Sequence, residues 1–407
     1  MSNPILSLTP SGYKAEKVYS VLPSDGSGGF TFDRANGLAT RINKDGLVEE
    51  VANDTPRFNY LNSTCPSLLL EAQRTNLLAY SEDFSNAYWN KIGASIVSNQ
   101  TVSPDGTLNA DMLLEDTSNG IHIFYKNNVN TGAGANTLSV KVKANGRNWV
   151  LLYDTEQLEG IYFDLQNGVA GSTIGSPDAF SIKALPNGWY DVSLTTTGIS
   201  KVDFQVYASE SDGNHIYQGD GVSGINVWGA QLEFAGYPTS YIPTSGTTAT
   251  RFVDICKDAG NAALFNVSEL SLFFDVNNFK PDTGSLSYIV LTDGQSSPIN
   301  MVRFEYKQDR IEISNYVNGT LGLFYTITSV VPNQRNKMAL TISTARTKVY
   351  FNGVLKTTTA GDNIPSGLNS LSFTNRTESG GYFEGEVQDA RVYNRILTET
   401  EAIKLTT

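Results

Sequence analysis

The chain has 407 residues, of which 40% are hydrophobic and only 17% charged, with 36 glycines, 20 tyrosines and 19 phenylalanines. That length holds two or three domains with cores of their own, and a composition rich in Gly, Tyr and Phe but poor in charge reads as all-β with many turns. A formal net charge of −12 argues against the Lys and Arg patches that neutralise nucleic-acid phosphates, so no nucleic-acid partner is expected.

The first twenty residues, MSNPILSLTPSGYKAEKVYS, lack the basic stretch, apolar run and small-residue cleavage site of an export signal. No segment reaches the apolar length of a membrane span, so membrane insertion is not expected. Cys65 and Cys256 are the only cysteines. They bracket the central block, whose end strands could bring them together, but without an export signal they read as reduced structural thiols.

In chain order, residues 1–64 form a leader with one hairpin signal. Leu38 to Ile42 and Leu47 to Val51 flank Asn43-Lys44-Asp45-Gly46, where Asp-Gly supplies the positive φ of a tight turn. Phe30-Thr31-Phe32 reads as a short strand. The leader has too little apolar surface for its own core, so it must pack on the next domain or on another subunit.

The block 65–251 opens with apolar Leu68 to Leu70, a polar crossing at Glu71 to Asn76 and a second strand at Leu77 to Tyr80. It holds all four tryptophans, Trp89, Trp149, Trp189 and Trp228, which suggest one large aromatic core. Period-two patterning marks strands at Thr137 to Val142, Trp149 to Tyr153, Gly160 to Leu165, Phe180 to Ala184, Trp189 to Thr195, Val202 to Ala208 and Ile225 to Phe234. Gly- and Asn-rich turns separate them at spacings that suit a two-sheet sandwich.

A third part, 261–407, shows further strands: Leu270 to Val276, Leu286 to Leu291, Met301 to Tyr306, Arg310 to Tyr316, Gly322 to Thr328, Lys337 to Ser343, Lys348 to Phe351, Ser370 to Phe373 and Gly381 to Tyr393. Asn352-Gly353 is a hairpin turn. Thr398 with Glu401 fits a capping box that starts a short helix over Glu399 to Leu405. The fold class expected for the whole is all-β, a hairpin leader followed by two jelly-roll sandwiches.

The run Gly385 to Thr398, with KVYFNGVLK upstream, resembles the closing strands of a concanavalin A-like, laminin-G-type jelly roll over the last third of the chain. In the central block, Glu71-Ala72-Gln73-Arg74-Thr75-Asn76-Leu77-Leu78, Tyr80 to Asn86 with Trp89, Gln231-Leu232-Glu233 and Thr239 to Thr244 resemble the carbohydrate-binding-module-like jelly roll of bacteriophage structural proteins. The leader segment ATRINKDGLVEEV with Pro56-Arg57-Phe58 is similar to the stretch before such modules in phage fibre and virion proteins. The resemblance implies a virion protein, a tail-fibre, head-fibre or other appendage subunit, assembled in the host cytoplasm. It attaches by its N-terminus to other virion proteins and displays its domains to a host-surface glycan as a homo-oligomer, a trimer being the common state.

Catalytic signals are sparse. His122 and His215 lie apart from any Cys or His cluster, so neither a zinc site nor a triad is signalled. Glu384, Glu386 and Asp389 are the sharpest enzymatic hint, because strand residues two apart share a face at roughly 6.5 Å, within reach of a glycosidase acid pair. A solvated strand face is the plainer reading, and the chain is expected not to be an enzyme. Jelly-roll modules often hold a structural calcium between first and last strands, and Asp83 and Glu233 stand where such ligands would; the alternative is that Asp83 caps a turn and Glu233 faces solvent.

Sugar binding needs aromatic faces for pyranose rings with amides and carboxylates for the hydroxyls. Trp149, Tyr153, Tyr162, Tyr316 and Tyr325 are the candidates, with core burial as the alternative for each. Three functions follow: a phage appendage adhesin, a free bacterial glycan-binding protein, or a polysaccharide depolymerase.

Overall fold

The computed structural model describes residues 3–10, 17–18, 20–35, 38–61, 63–198, 200–265, 267–279, 286–295, 297–360, 364–374 and 381–407. The chain is all-β, and its described α-helices are Ala262–Phe265 and Glu399–Thr406. It divides into two units, each discontinuous in sequence: residues 1–35, 52–72 and 252–407 form one, and residues 36–51 and 73–251 the other. No helix among the described residues is long and apolar enough to cross a membrane.

The unit containing 73–251 is a sandwich of two six-stranded antiparallel sheets. One runs Ala94–Thr101, Ala110–Glu115, Gly224–Glu233, Gly134–Asn145, Tyr190–Gly198, Ala179–Ala184; the other Val169–Ile174, Glu159–Asp164, Trp149–Asp154, Lys201–Ser209, His122–Asn130, Asn90–Ile92. Alternate residues of both, such as Val140, Val192 and Val227 from the first and Phe124, Val150, Phe163, Phe204 and Val206 from the second, fill the space between them. Period-two side chains on a pleated strand require this division into an inner and an outer face.

The hairpin of the leader belongs to this unit. Ala39–Ile42 pairs with Val48–Val51 across a turn with Gly46 at φ 79°. Its Val48 and Ile42 pack with Trp189, Trp228 and Tyr241 on the outside of the first sheet. The four tryptophans therefore do not share one core: Trp89 lies between the sheets, Trp189 and Trp228 lie under the hairpin, and Trp149 lies on the outer face of the second sheet. Their spacing along the chain placed them in one block, but alternation sends neighbouring strand positions to opposite faces.

The other unit is a second sandwich. Its larger sheet runs Ser20–Leu22, Leu6–Leu8, Gly385–Tyr393, Leu270–Asn278, Arg335–Ile342, Arg346–Phe351, Val354–Ala360, and Ser67–Leu70 pairs with both Gly385–Tyr393 and Arg57–Asn59. Its five-stranded sheet runs Thr320–Thr328, Arg310–Val317, Met301–Tyr306, Ser287–Thr292, Ser370–Ser372. Leu272, Phe274, Phe304, Ile313, Leu340 and Val392 are part of the core between them. The helix Glu399–Thr406 begins with the expected capping box, Thr398 and Glu401 bonding each other's backbone N–H.

This division differs from the one expected at residues 64 and 251. Segment 1–64 is not a separate leader, and Leu68–Leu70 does not open the central sandwich, since Leu68, Leu69 and Leu70 stand opposite Val387, Glu386 and Gly385. A buried ion network explains why these distant segments join: Arg34 reaches Asp254 at 3.1 Å, and Arg57 reaches Glu71 at 2.6 Å and also pairs with Asp254. Each charge has its counter-charge only when the segments meet. Cys65 is exposed and Cys256 buried, and both are free thiols.

Candidate functional site

The outer face of the second sheet in the 73–251 sandwich gathers aromatic side chains. On Trp149–Asp154, Val150 and Leu152 point inward, so Trp149, Leu151 and Tyr153 point out. The neighbouring strands continue the pattern, with Leu151 opposite both Tyr162 and Tyr207, and Tyr207 opposite Ile123. Tyr162 and Tyr207 are buried, while Trp149, Tyr153 and Tyr125 are half-exposed above them.

Two glycines make room for the upper rings against the sheet. A Cβ on Gly171 would come within 2.6 Å of Trp149 Cζ3, and one on Gly160 within 2.8 Å of Tyr153 Cδ2. Real Cβ atoms do not approach that closely, so these positions need glycine for the rings to occupy their observed places. A partly exposed aromatic ring can stack on the C–H face of a sugar.

Polar groups border the platform. His215 Nδ1 lies 2.5 Å from the Tyr162 hydroxyl, and its ring meets Tyr207 edge-on at 5.2 Å. Burial pushes the His215 imidazole below its ordinary range and the Tyr162 phenol up to about 12, so near neutral pH the pair is uncharged. A neutral imidazole that accepts from Tyr162 at Nδ1 carries its proton at Nε2, where it can donate to a ligand hydroxyl. At the other end Tyr207 donates to Gln205 Oε1 at 2.6 Å, and Gln205 Nε2 donates to Asn127 Oδ1 at 2.9 Å and Thr155 Oγ1 at 2.7 Å. Asp212 accepts from Ser172 N at 2.8 Å, fixing the loop that carries His215.

Trp149, Tyr153 and Tyr162 are thus brought together on one face, and Tyr207, Tyr125 and His215 complete it. The sequence signal for Tyr207 was the alternation of Gln205 and Tyr207 with Phe204, Val206 and Ala208. His215 sits on a loop, where no period applies. Tyr316 and Tyr325 belong to the other unit. Tyr325 packs against that unit's core and donates to Lys356 O at 3.3 Å; Tyr316 lies on the outer face of the five-stranded sheet beside Arg303.

Asp83 and Glu233 do not fit the expected calcium site. Asp83 is exposed and caps a turn, accepting from Ser85 Oγ at 2.6 Å and Asn86 N at 3.1 Å. Glu233 is fully buried, accepts from Thr239 N at 2.9 Å and is balanced by Arg74 and Arg251. The two carboxylates answer to different partners, and no group of three or more His, Cys, Asp or Glu among the described residues could hold a metal. Of the closing-strand acids, Asp389 Oδ1 accepts from Arg391 Nε at 2.9 Å and its other oxygen also pairs with that guanidinium, while Glu386 accepts from Asn59 at 2.9 Å. His122 is a core histidine with Nδ1 2.5 Å from Gly93 O.

Residues 261–402 match the Laminin_G_3 family model, described as the concanavalin A-like lectin/glucanases superfamily. No curated protein matches the chain. Similar solved structures include the CBM40 module of the Ruminococcus gnavus IT-sialidase, at 13% identity and TM-score 0.31 over 37% of this chain and 94% of that one. The NanB sialidase of Streptococcus pneumoniae aligns at 14% identity and TM-score 0.31, over 36% of this chain and 25% of that one. The botulinum neurotoxin serotype G binding domain aligns at 18% and 0.30, over 38% and 42%.

Proposed function

We propose that the chain is a non-catalytic adhesion protein that binds a host-surface glycan through the outer aromatic face of its 73–251 sandwich, and that it serves in a phage virion as a tail- or head-fibre or other appendage subunit. The observation that carries the glycan reading is the pair of partly exposed rings, Trp149 and Tyr153, packed close against Gly171 and Gly160 beside the His215 and Gln205 hydrogen-bonding groups. The charged groups acting on Tyr162 and Tyr207 are Asp212 and Asp203, which suits an uncharged saccharide. Binding is favoured over hydrolysis because two of the three closing-strand acids are engaged within the fold, Asp389 by Arg391 through both oxygens and Glu386 by Asn59.

The virion assignment is supported by the resemblance of the segments around Glu71, Glu233 and Thr239 to phage structural modules. A free bacterial lectin would use the same face, and mass spectrometry of purified particles separates the two. The homotrimer rests on that resemblance alone, because the leader finds its partner strands inside the chain.

A glycan array with the full-length chain tests the site. Trp149→Ala is expected to lower affinity for the bound glycans by about 2 kcal/mol, roughly 30-fold, at a smaller cost in stability than the loss of a fully buried tryptophan because its ring is partly exposed. Binding unchanged in that variant would refute the site.

A further inference from the structure

The aromatic face of the 73–251 sandwich is laid out in rows that follow one another along the strand Trp149–Asp154. The first row holds Trp149 with Asp212 beside it, since Asp212 Oδ1 at 2.5 Å and Trp149 Cζ3 at 2.6 Å border the same point, a Cβ built on Gly171. The second is Tyr162, Leu151 and Tyr207, in register on three adjacent strands. The His215 ring packs on both of its tyrosines, at 6.1 Å and 5.2 Å. The third is Tyr153, Gln205 and Tyr125, again in register.

Outward side chains on a strand recur at every second residue, so successive rows stand about 6.6 Å apart and Trp149 and Tyr153 about 13 Å apart. One pyranose ring covers a single row and cannot reach from Trp149 to Tyr153. The length that each sugar unit adds to a linear chain is close to the spacing of the rows. Trp149, Tyr153, Tyr125 and His215 are all partly exposed and Asp212 is exposed, so each row is open to a ligand at its surface. Polar atoms are available as well. Asp212 accepts from Ser172 N at 2.8 Å and Ser172 Oγ at 2.7 Å, both at Oδ1, which leaves Oδ2 for a ligand hydroxyl. Tyr162 occupies Nδ1 of His215, which leaves Nε2.

We propose that this face binds a linear, uncharged saccharide chain of three or more units, one unit to each row. The inference rests on the glycan reading above and specifies its substrate class. Trp149 and Tyr153 stack on units at the two ends of the bound stretch. Asp212 accepts a hydroxyl proton beside Trp149 and repels acidic sugars, and His215 donates from Nε2 to the middle unit.

The test is calorimetric titration of the full-length chain with neutral linear oligosaccharides of glucose, mannose, galactose and N-acetylglucosamine, one to six units long, beside a galacturonate hexamer. In at least one neutral series, affinity is expected to rise roughly tenfold or more between one unit and three, as sugars of one chain fill neighbouring rows, and then to level off. Trp149→Ala and Tyr153→Ala remove opposite ends of the site, so each should reduce the gain that comes with the third unit. A single sugar that binds as tightly as its hexamer, a gain unmoved in Tyr153→Ala, tighter binding of the galacturonate hexamer, or no binding by any neutral chain would overturn the extended site. Array glycans that bind the wild type and Trp149→Ala equally well would instead remove the face itself, and the proposal with it.

Discussion

Gly171 does as much for the glycan face as the tryptophan it supports. Its missing side chain leaves space that Trp149 occupies, and Asp212 Oδ1 would stand 2.5 Å from a Cβ placed there. Asp212 is exposed and can swing aside, whereas the indole can only lift. Gly171→Ala is therefore expected to reduce glycan affinity about tenfold while costing about 1 kcal/mol of stability, the low end for overpacking. Calorimetric titration and thermal unfolding of the same variant check both halves, and an unaltered affinity would contradict this role of Gly171. Three of the face's residues, Trp149, Tyr153 and Tyr162, were legible as alternate strand positions. The glycines beneath them were not, since a glycine's role depends on which ring crosses it from another strand. The same limit misplaced Tyr325, whose ring turns inward with Leu323 and Ile327.

Strands with strong alternation were legible nearly to their ends: the expected Val202 to Ala208 is Lys201–Ser209 in the structure. Ala94–Thr101 was missed because its polar residues and half-exposed edge position leave no apolar period. The segments that resemble phage modules prove to be a buried polar framework. Asn76 donates to Ala230 O and Ile242 O and accepts from Leu78 and Leu232, and Gln231 Oε1 accepts from Ile242 N at 2.7 Å. Such groups are specified by their partners, which is why they mark the fold clearly and the ligand not at all. Among the elements, the helix Glu399–Thr406 gives the plainest pH test. Arg395 and the Thr398 bonds hold the Glu401 carboxyl at about 2, below its ordinary 4.5. A carboxyl depressed in the folded state stabilises it fully above the unfolded value and less as pH falls through the folded one. The helix should therefore loosen between about pH 4.5 and 2. Glu401→Gln keeps the capping box, since a glutamine also reaches back to the Thr398 N–H, but loses the charge pair with Arg395; it should cost about 0.5 kcal/mol at pH 7 and flatten that pH dependence. Hydrogen exchange of the helix amides, followed from pH 6 to 2 in both proteins, would show no difference if the Arg395 pair were idle.

Across the whole molecule, each unit is assembled from segments far apart in sequence, so the first 66 residues are structural parts of both units and no detachable leader. A chain beginning at Ser67 lacks Leu6, Leu8, Val18, Phe30 and Phe58, all in one core. Losing five such side chains removes on the order of 10 kcal/mol, comparable to the whole stability of a domain. The shortened chain is expected to aggregate or unfold, seen by circular dichroism and light scattering; a folded, soluble product would contradict the interleaved assembly. Light scattering on the full-length chain tests the trimer separately. The central claim, that glycan stacks on the outer face of the 73–251 sandwich, is open to a single chemical measurement. Trp89, Trp189 and Trp228 are at most 2% exposed, whereas Trp149 is half-exposed. Oxidation by N-bromosuccinimide should therefore consume one tryptophan per native chain, identified as Trp149 by peptide mapping. Adding an array-positive glycan should protect that tryptophan. If the glycan binds and Trp149 is oxidised as fast as before, the binding face lies elsewhere.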